Sequence, residues 1–438
     1  MSLLSLLPIL IVFSGGYFLI KFRFFHIIHP KSTLKFAFSS NDRREAILSL
    51  VLALAGTLGV GNISGVAIGI AIGGAGSVFW LVASALFSSA IKYAEVFLSY
   101  RSGGIGMVSV IKNAFKYGGG FLAAAYATIS IILSLSMGSV FQARAISEAA
   151  SVSSDTKGLL LAVFLTATAL FICLLGKDRI KRAVAVIIPT AAIIYTGMCL
   201  FVILGNFDRL FVTLGTILKS AFSFKSASGG ILGFIVSSGM KEGFARGLLS
   251  NEAGAGTSSF SHTSHIDNST FGDNAFYLSH NTEKTIGECE RAGIFGILEV
   301  VFDTLLICPL TALAILLGND GSDFGGSLTE LSRIFENHIG GFAPRLLLTV
   351  IIFFAISTTL CWYYYGRVAL RYLAKNRFAI LYTALFFSTF FIALLISVPH
   401  ALFITDTALF LLSVITLSAL IKKRASLRFK ETLVKFRF

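Results

Sequence analysis

The sequence predicts an all-α polytopic membrane protein, and three observations support this fold class. Of the 438 residues, 55% are hydrophobic and only 13% are charged, whereas a soluble domain carries about 25% charged residues. The mean hydropathy is +0.83. Apolar stretches of the roughly 20 residues that a spanning helix needs recur along the whole chain. So few charged side chains cannot cover the surface of a soluble fold, and the composition also excludes disordered, collagen-like and coiled-coil chains.

About eleven apolar segments, each a predicted transmembrane helix, are separated by charged or glycine-rich connections. They lie at about 3–20, 46–72, 78–98, 121–146, 159–175, 183–204, 231–249, 292–317, 346–365, 378–398 and 401–421. The first segment has no basic region before it and no small-residue cleavage site before Lys21, which favours a span over a cleaved signal peptide. Residues 206–228 alternate apolar and polar side chains, so we expect them to lie on the surface. The predicted organisation is an N-terminal helix with a basic loop (1–43), a membrane core (44–421) and a basic tail (422–438).

The basic residues are distributed according to this topology. The chain has 36 Lys+Arg and 22 Asp+Glu residues, a formal net charge of +14, which could also indicate a nucleic-acid-binding protein. However, the loops after the odd-numbered segments and the tail hold most of the basic residues. The opposite loops hold only Lys157, Arg209, Lys219, Lys225, Arg333 and Arg345. Because cytoplasmic loops are enriched in Lys and Arg, the pattern predicts an external N-terminus, a cytoplasmic C-terminus and no nucleic-acid partner.

Several function classes lack the motifs they require. The five cysteines include no CxxC pair, so neither a disulfide framework nor a zinc site is indicated. Ser250, Glu252 and His262 could suggest a hydrolase, but neither a nucleophile elbow nor a zinc motif accompanies them. No ATP-binding loop is present either. The sequence therefore predicts a protein that is not an enzyme and has no cofactor, and that can draw energy only from an ion gradient.

Two segments do not read as regular transmembrane helices. Residues 56–65 contain four glycines together with Thr57, Asn62 and Ser64. Close packing of small residues would explain the glycines, but the polar side chains among them favour an unwound segment facing a ligand. Residues 243–258 run from an apolar helix into Arg246, Glu252 and several glycines. Here a helix that simply leaves the membrane, with Arg246 and Glu252 bonded to each other or to carbonyls, is as good an explanation as ligand contact.

The two irregular segments occupy corresponding positions in two halves of the core. They are the first and sixth spans of a ten-helix set that starts at residue 44, with repeats at about 44–204 and 229–421. Interrupted helices at such positions indicate the binding site of an inverted-repeat transporter. Helix N-termini can hold a carboxylate there, and free carbonyls can coordinate Na⁺. The residues alone therefore suggest a cation-coupled carrier of a small anionic or zwitterionic solute.

Several motifs resemble those of the alanine/glycine:cation symporters, the sodium:alanine symporter family. They are Gly56 to Gly65, Gly73-Gly74-Ala75-Gly76-Ser77, Lys92-Tyr93-Ala94-Glu95, Ala245 to Gly256, Leu298-Glu299-Val300, Asp303-Thr304, and Ser357-Thr358 with Trp362. They appear in family order and cover nearly the whole chain. The resemblance implies one extra N-terminal helix before a LeuT-type core of two inverted five-helix repeats.

The resemblance also implies a site. Its substrate-binding residues would be Thr57, Gly59, Gly61, Asn62, Gln142, Thr358 and Trp362. The backbone oxygens of Ala55 and Leu58 and the hydroxyls of Ser357 and Thr358 would bind Na⁺, a hard cation that prefers oxygen ligands. Supporting residues would be Arg246, Asn251, Glu252 and Asp303.

The chain departs from the family pattern in places. Ser139 and Arg144 stand where the family usually has Asn. Arg144 would alter substrate choice if it faced the pocket, but a position at the interface is the preferred interpretation. The loop from 258 to 290 contains three histidines, for which a solvated loop is favoured over a metal site. Asp303 and Glu95 lie within spans, where they either couple protons or pack against Arg246 or backbone groups.

The function expected from these observations is Na⁺-coupled import of a small neutral amino acid, alanine or glycine, by alternating access. The expected location is the plasma (inner) membrane. Coupling to H⁺, a different amino-acid specificity and a transport-inactive sensor on the same fold remain alternatives. The oligomeric state is left open.

Overall fold

The computed structural model describes residues 6–38, 43–150, 177–222, 237–263, 286–319, 323–375, 377–393 and 398–427. All regular secondary structure within these ranges is helical. The first half contains α1 (Leu7–Lys21), α2 (Phe25–Ile28), α3 (Pro30–Ala37), α4 (Arg43–Thr57), α5 (Val66–Gly73), α6 (Gly76–Ser102), α7 (Gly106–Ala114), α8 (Gly119–Leu135), α9 (Phe141–Ala150), α10 (Lys177–Gly205) and α11 (Leu210–Ala221). The second half contains α12 (Ser238–Asn251), α13 (Ser259–Thr263), α14 (Ile286–Val300), α15 (Cys308–Gly318), α16 (Leu328–Ile339), α17 (Ala343–Ala374), α18 (Ala379–Ile392) and α19 (Val398–Lys422).

Six described helical stretches are long and apolar enough to cross a membrane. They are Gly76–Ser102, Gly119–Ala150, Arg182–Gly205, Ile286–Gly318, Ala343–Ala374 and His400–Lys422. Two of these stretches consist of neighbouring helices joined by a π turn, α8 with α9 and α14 with α15. Three shorter apolar helices are Leu7–Lys21, Gly61–Gly73 and Ala379–Ile392. Ten of the predicted segments fall wholly or partly on described helices, while the predicted segment 159–175 lies outside the described residues. The count of eleven spans stays a prediction.

Several short helices, α7 and α16 among them, lie in stretches that were predicted to be connections. The predicted loop at 100–120 contains α7, whose Met107, Val108 and Ile111 are fully buried. Between the predicted eighth and ninth segments lies α16, which begins with a capping box between Ser327 and Glu330. Both are amphipathic and short, so they are stabilised by burying one face rather than by crossing the membrane.

Glycines bring the helices of the core into close contact. One set of helices packs around α6, which touches α1, α12 and α14. A Cβ at Gly243 on α12 would lie 2.5 Å from the Ser77 carbonyl oxygen on α6. A second set packs around α17, which touches α4, α8, α9 and α10. Small residues permit such close approach of helix backbones in a membrane.

Three widened π-helical turns interrupt the long helices, at Gly61–Gly65, Ser136–Val140 and Val301–Ile307. Single π turns inside α-helices occur frequently at functional sites, because they change the direction in which side chains project. All three turns contain residues of the predicted site or next to it. The turns at Gly61–Gly65 and Val301–Ile307 contact each other.

Candidate functional site

The first predicted break is present at the end of α4. This helix stops at Thr57, and Leu58 to Val60 are not helical before the π turn begins at Gly61. The Gly59 N–H donates to Asn62 Oδ1 at 3.0 Å. In a continuous helix this N–H would donate to the Ala55 carbonyl. The side chain of Asn62 therefore competes with helix continuation and leaves a carbonyl at the end of α4 without its usual donor.

The second predicted break follows α12. This helix ends at Asn251, and Glu252 adopts a left-handed conformation with φ of 54°. The Asn251 side-chain oxygen accepts the Ala253 N–H at 2.9 Å. Residues 252–258 are irregular, yet all of them are buried. Irregular backbone at this depth is tolerated in a membrane protein only where protein groups or a cavity surround it.

Asn62 joins the two breaks. Its amide nitrogen lies 3.0 Å from Ser250 Oγ at the end of α12 and also contacts the Asp303 carboxylate in the third π turn. Ser250 Oγ donates to the other oxygen of that carboxylate at 2.5 Å. Thr304 Oγ1 donates to the same oxygen at 2.7 Å. These residues are all nearly or completely buried. The central polar contact of the structure is therefore a set of hydrogen bonds among three interrupted helices.

The residues predicted to bind Na⁺ are only partly brought together. Thr358 Oγ1 on α17 lies 3.5 Å from the Leu58 carbonyl oxygen. A Cβ at Gly59 would lie 2.5 Å from the same hydroxyl oxygen. The Ser357 hydroxyl instead donates to the Phe354 carbonyl of its own helix at 2.9 Å. Thus the Leu58 carbonyl and the Thr358 hydroxyl lie close together, and the Ser357 hydroxyl would have to rotate to join them.

Three predicted substrate residues carry buried polar atoms that have no hydrogen-bond partner among the described residues. The atoms are Thr57 Oγ1, Gln142 Oε1 and Trp362 Nε1. The indole of Trp362 is fully buried and packs against Tyr365, with ring centroids 5.3 Å apart. The backbone of Gly138 approaches it so closely that a Cβ there would overlap the Trp362 Cβ. Buried polar groups are normally paired, so these three atoms are available for a ligand.

A buried charged network holds the second break. Lys92 Nζ on α6 donates to the Asn251 carbonyl at 2.7 Å and lies 3.4 Å from Glu299 Oε2 on α14. A cation at the end of α12 complements the helix dipole. His262 contacts the other oxygen of Glu299. The interpretation of residues 258–262 as part of a solvated loop is therefore wrong, because these residues are buried in the core. His265 and His280 lie outside the described residues.

Arg246 pairs with residues that the sequence did not identify. Its guanidinium lies 2.7 Å from Asp406 on α19 and 3.3 Å from Glu242 one turn earlier on α12. Glu252, the partner considered from the sequence, instead accepts a hydrogen bond from Thr257 Oγ1 at 2.5 Å. The sequence analysis did not use the one signal that would have identified Asp406, an acidic residue within the apolar segment 401–421. Arg144 is half-buried and interacts electrostatically with Glu148, one turn further along α9.

Comparison with known proteins identifies the family. The chain matches the sodium:alanine symporter family over residues 1–427. It is 29% identical over 426 residues to the sodium/alanine symporter AgcS of Methanococcus maripaludis, covering 91% of this chain and 87% of the relative. It is 28% identical over 394 residues to GlnT of Bacillus subtilis, a probable sodium/glutamine symporter, covering 85% of this chain and 76% of the relative.

A solved structure adds a comparison of the fold alone. It is the crystal structure of a manganese transporter from Eremococcus coleocola, with a TM-score of 0.56 and 12% identity, covering 87% of this chain and 78% of the other. The family consists of transporters, and the matched relatives are named as symporters rather than enzymes. Because the match extends over nearly the whole sequence, the chain belongs to the sodium:alanine symporter family.

Proposed function

We propose that the chain is a secondary active symporter that imports a small neutral amino acid, alanine or glycine, together with Na⁺ by alternating access. The observation that carries this proposal is the meeting of the two predicted breaks, through Asn62 and Ser250, with Asp303 of a third interrupted helix. Transporters of inverted-repeat architecture bind substrate and coupling ion at such a point. We assign the chain an eleven-helix, LeuT-type architecture on the same grounds.

The coupling ion would bind at the end of α4. The carbonyl oxygen of Ala55 lacks its usual helical donor because the Gly59 N–H donates to Asn62. Leu58 offers a carbonyl oxygen close to the Thr358 hydroxyl. Together with the Ser357 hydroxyl, these neutral oxygens suit a monovalent cation, and the C-terminal end of a half-helix adds negative potential.

The amino acid would bind beside this cation. The segment from Gly59 to Gly61 precedes a helical segment, whose N-terminal end and helix dipole stabilise a carboxylate; the Gly59 N–H itself is already used by Asn62. Thr57, Gln142 and Trp362 offer the unpaired polar atoms described above. The Trp362 indole, held against Gly138, would limit the side chain of the substrate to a small one. The distribution of Lys and Arg supports an external N-terminus and a plasma-membrane location.

Uptake of labelled L-alanine into proteoliposomes tests the proposal. An inward Na⁺ gradient should drive accumulation, and an equal K⁺ gradient should not. Asn62→Ala should reduce Na⁺-driven uptake by at least about 10-fold, because it removes the side chain that shapes the first break and supports the ion site. Asn206→Ala is the matched control, since Asn206 is also buried but bonds to the Val202 carbonyl on α10.

Three other outcomes would contradict parts of the proposal. Accumulation driven by a proton gradient with K⁺ on both sides would show that the coupling ion is H⁺ instead of Na⁺. Transport of other amino acids but not alanine or glycine would correct the specificity, with Arg144 as the first residue to replace. The absence of uptake across a panel of amino acids, from protein that is folded, would favour a transport-inactive sensor.

Gly59→Ala should raise the Na⁺ concentration that gives half-maximal uptake by about 10-fold or more. The new Cβ would lie 2.5 Å from Thr358 Oγ1, so the hydroxyl must turn away from the Leu58 carbonyl. Gly197→Ala on α10 is the control, because nothing lies within 4 Å of a Cβ there. An unchanged Na⁺ dependence in Gly59→Ala would show that Thr358 is not a ligand of the cation.

A further inference from the structure

Five ionisable side chains surround the second break and form what we call the buried charge cluster. They are Lys92, Glu95, Glu252, His262 and Glu299, of which His262 is 4% exposed and the others are completely buried. They come from α6, α13, α14 and the break itself. None of them belongs to the cation or substrate positions proposed above.

Both ion pairs in this cluster involve a single carboxylate. Lys92 lies 3.4 Å from Glu299 Oε2, and His262 contacts Glu299 Oε1. Lys92 also donates to the Asn251 carbonyl. Within the described part of the chain, no ion pair reaches Glu95 or Glu252. The cluster thus contains more carboxyl groups than cations that could neutralise them.

Glu95 and Glu252 each use only one carboxyl oxygen. Glu95 Oε1 accepts the Gly254 N–H at 2.6 Å, and Glu252 Oε2 accepts Thr257 Oγ1 at 2.5 Å. Glu95 Oε2 and Glu252 Oε1 are buried and have no hydrogen-bond partner among the described residues. A carboxylate that is buried outside an ion pair is so unfavourable that the group takes up a proton instead.

We propose that Glu95 and Glu252 form a proton-binding site in the second break, and that this site gives up its protons when the break opens during transport. A proton suits these groups better than a transition-metal ion held by several such side chains. In the described ranges, no three His, Cys, Asp or Glu side chains converge where they could hold a metal ion. Each carboxyl, in contrast, needs only its own proton.

The groups around the two carboxyls indicate that protons, rather than an ion-pair partner, neutralise them. The titratable and charged groups that face them are Lys92 on α6, Tyr126 on α8, His262 on α13, Glu299 on α14, Asp303 in the third π turn and Tyr365 on α17. Lys92 and His262 are engaged by Glu299. The Tyr126 hydroxyl donates to the Ala255 carbonyl at 3.0 Å, and the Tyr365 hydroxyl lies 2.6 Å from Ser261 Oγ. Neither hydroxyl adds positive charge.

The position of the site links it to alternating access, and this step rests on the proposed function. Glu95 lies seven residues before the end of α6 at Ser102, which is about 10 Å along a helix. That end carries Arg101 and is the cytoplasmic end in the predicted topology. Movement of residues 252–258 would hydrate both carboxyls and release their protons. Bound protons stabilise the closed arrangement, so alkaline pH disfavours it.

Glu95→Gln and Glu252→Gln test the site, because glutamine is a neutral substitute of the same shape as the protonated acid. Infrared spectroscopy of the purified protein in lipid bilayers should show the carbonyl stretch of protonated carboxyl groups, and each variant should lose part of this band. Glu336→Gln, which removes an exposed carboxyl on α16, should leave the band unchanged. A band that is absent in the wild type, or unchanged in both cluster variants, would overturn the proposal.

Transport measurements provide the second readout. Wild-type uptake should fall at alkaline pH, by up to about tenfold per pH unit for each proton that leaves. Glu95→Gln should flatten this dependence. An identical pH profile in the wild type and Glu95→Gln would overturn the transport link.

Glu299→Gln is the contrasting variant: it should lower the melting temperature, because it leaves Lys92 buried without its partner. If the wild type carries no amino acid at all, the proposed function fails, while the infrared band still decides whether the protons are bound.

Discussion

Arg246→Ala is expected to destabilise the protein by about 3–5 kcal/mol and to abolish transport. The substitution leaves the Asp406 carboxylate without its partner at 2.7 Å and also removes the neighbour of Glu242. It further removes the aliphatic stem against which Gly69 packs, since a Cβ at Gly69 would lie 2.9 Å from Arg246 Cγ. Thermal unfolding of the purified protein and Na⁺-driven uptake measure the two effects.

A double-mutant cycle separates the ion pair from the packing. Asp406→Ala should be strongly destabilising as well, because it leaves the guanidinium buried, and the Arg246→Ala/Asp406→Ala double variant should lose less than the sum of the single losses. Arg246→Lys should recover only part of the stability, since an ammonium cannot reproduce the geometry of a guanidinium. Arg345→Ala, on the exposed start of α17, is the matched control. Equal stability of Arg246→Ala and Arg345→Ala would show that the pair contributes nothing.

Gly138→Ala is expected to reduce uptake by at least about 10-fold and to destabilise the protein by about 1–3 kcal/mol. The new methyl group would overlap the Cβ of Trp362, which belongs to a fully buried side chain on α17. Because both groups belong to packed helices, the indole must move, and the small pocket that it limits must change shape. Uptake with competing glycine, alanine and larger amino acids measures this change.

Gly197→Ala tests whether the effect comes from overlap rather than from loss of a helical glycine. Gly197 lies inside α10 with open space around it, so alanine there should be neutral or stabilising by up to about 1 kcal/mol. If Gly138→Ala transports as well as Gly197→Ala and keeps its selectivity, the role proposed for Trp362 in limiting the pocket would be wrong.

The two breaks were predictable because their causes are local. Glycines at 56–65 and 243–256 weaken a helix wherever they occur, and Asn62 can compete for a backbone N–H three residues away. Both breaks appear where the sequence predicts them. The short helices α7 and α16 were missed because one buried face, rather than a long apolar run, stabilises them.

The partners of the charged residues were not predictable in the same way. Arg246 and Asp406 are 160 positions apart in the sequence, and His262 and Glu299 belong to different helices. A single sequence shows that such residues are costly in a membrane, but it does not show which of them meet. The solvated loop expected around His262 was wrong for this reason.

The sequence by itself determined the helical membrane class, the positions of both breaks and the resemblance that the family match later confirmed. These properties depend on composition, on hydropathy over about 20 residues and on local backbone preferences. Only the tertiary structure decided that Asn62 joins Ser250 and Asp303, that Arg246 pairs with Asp406, and that Glu95 and Glu252 form no ion pair among the described residues. Those contacts are set by how helices from distant parts of the chain pack, because a buried polar group is stabilised by whichever partner the fold brings within reach.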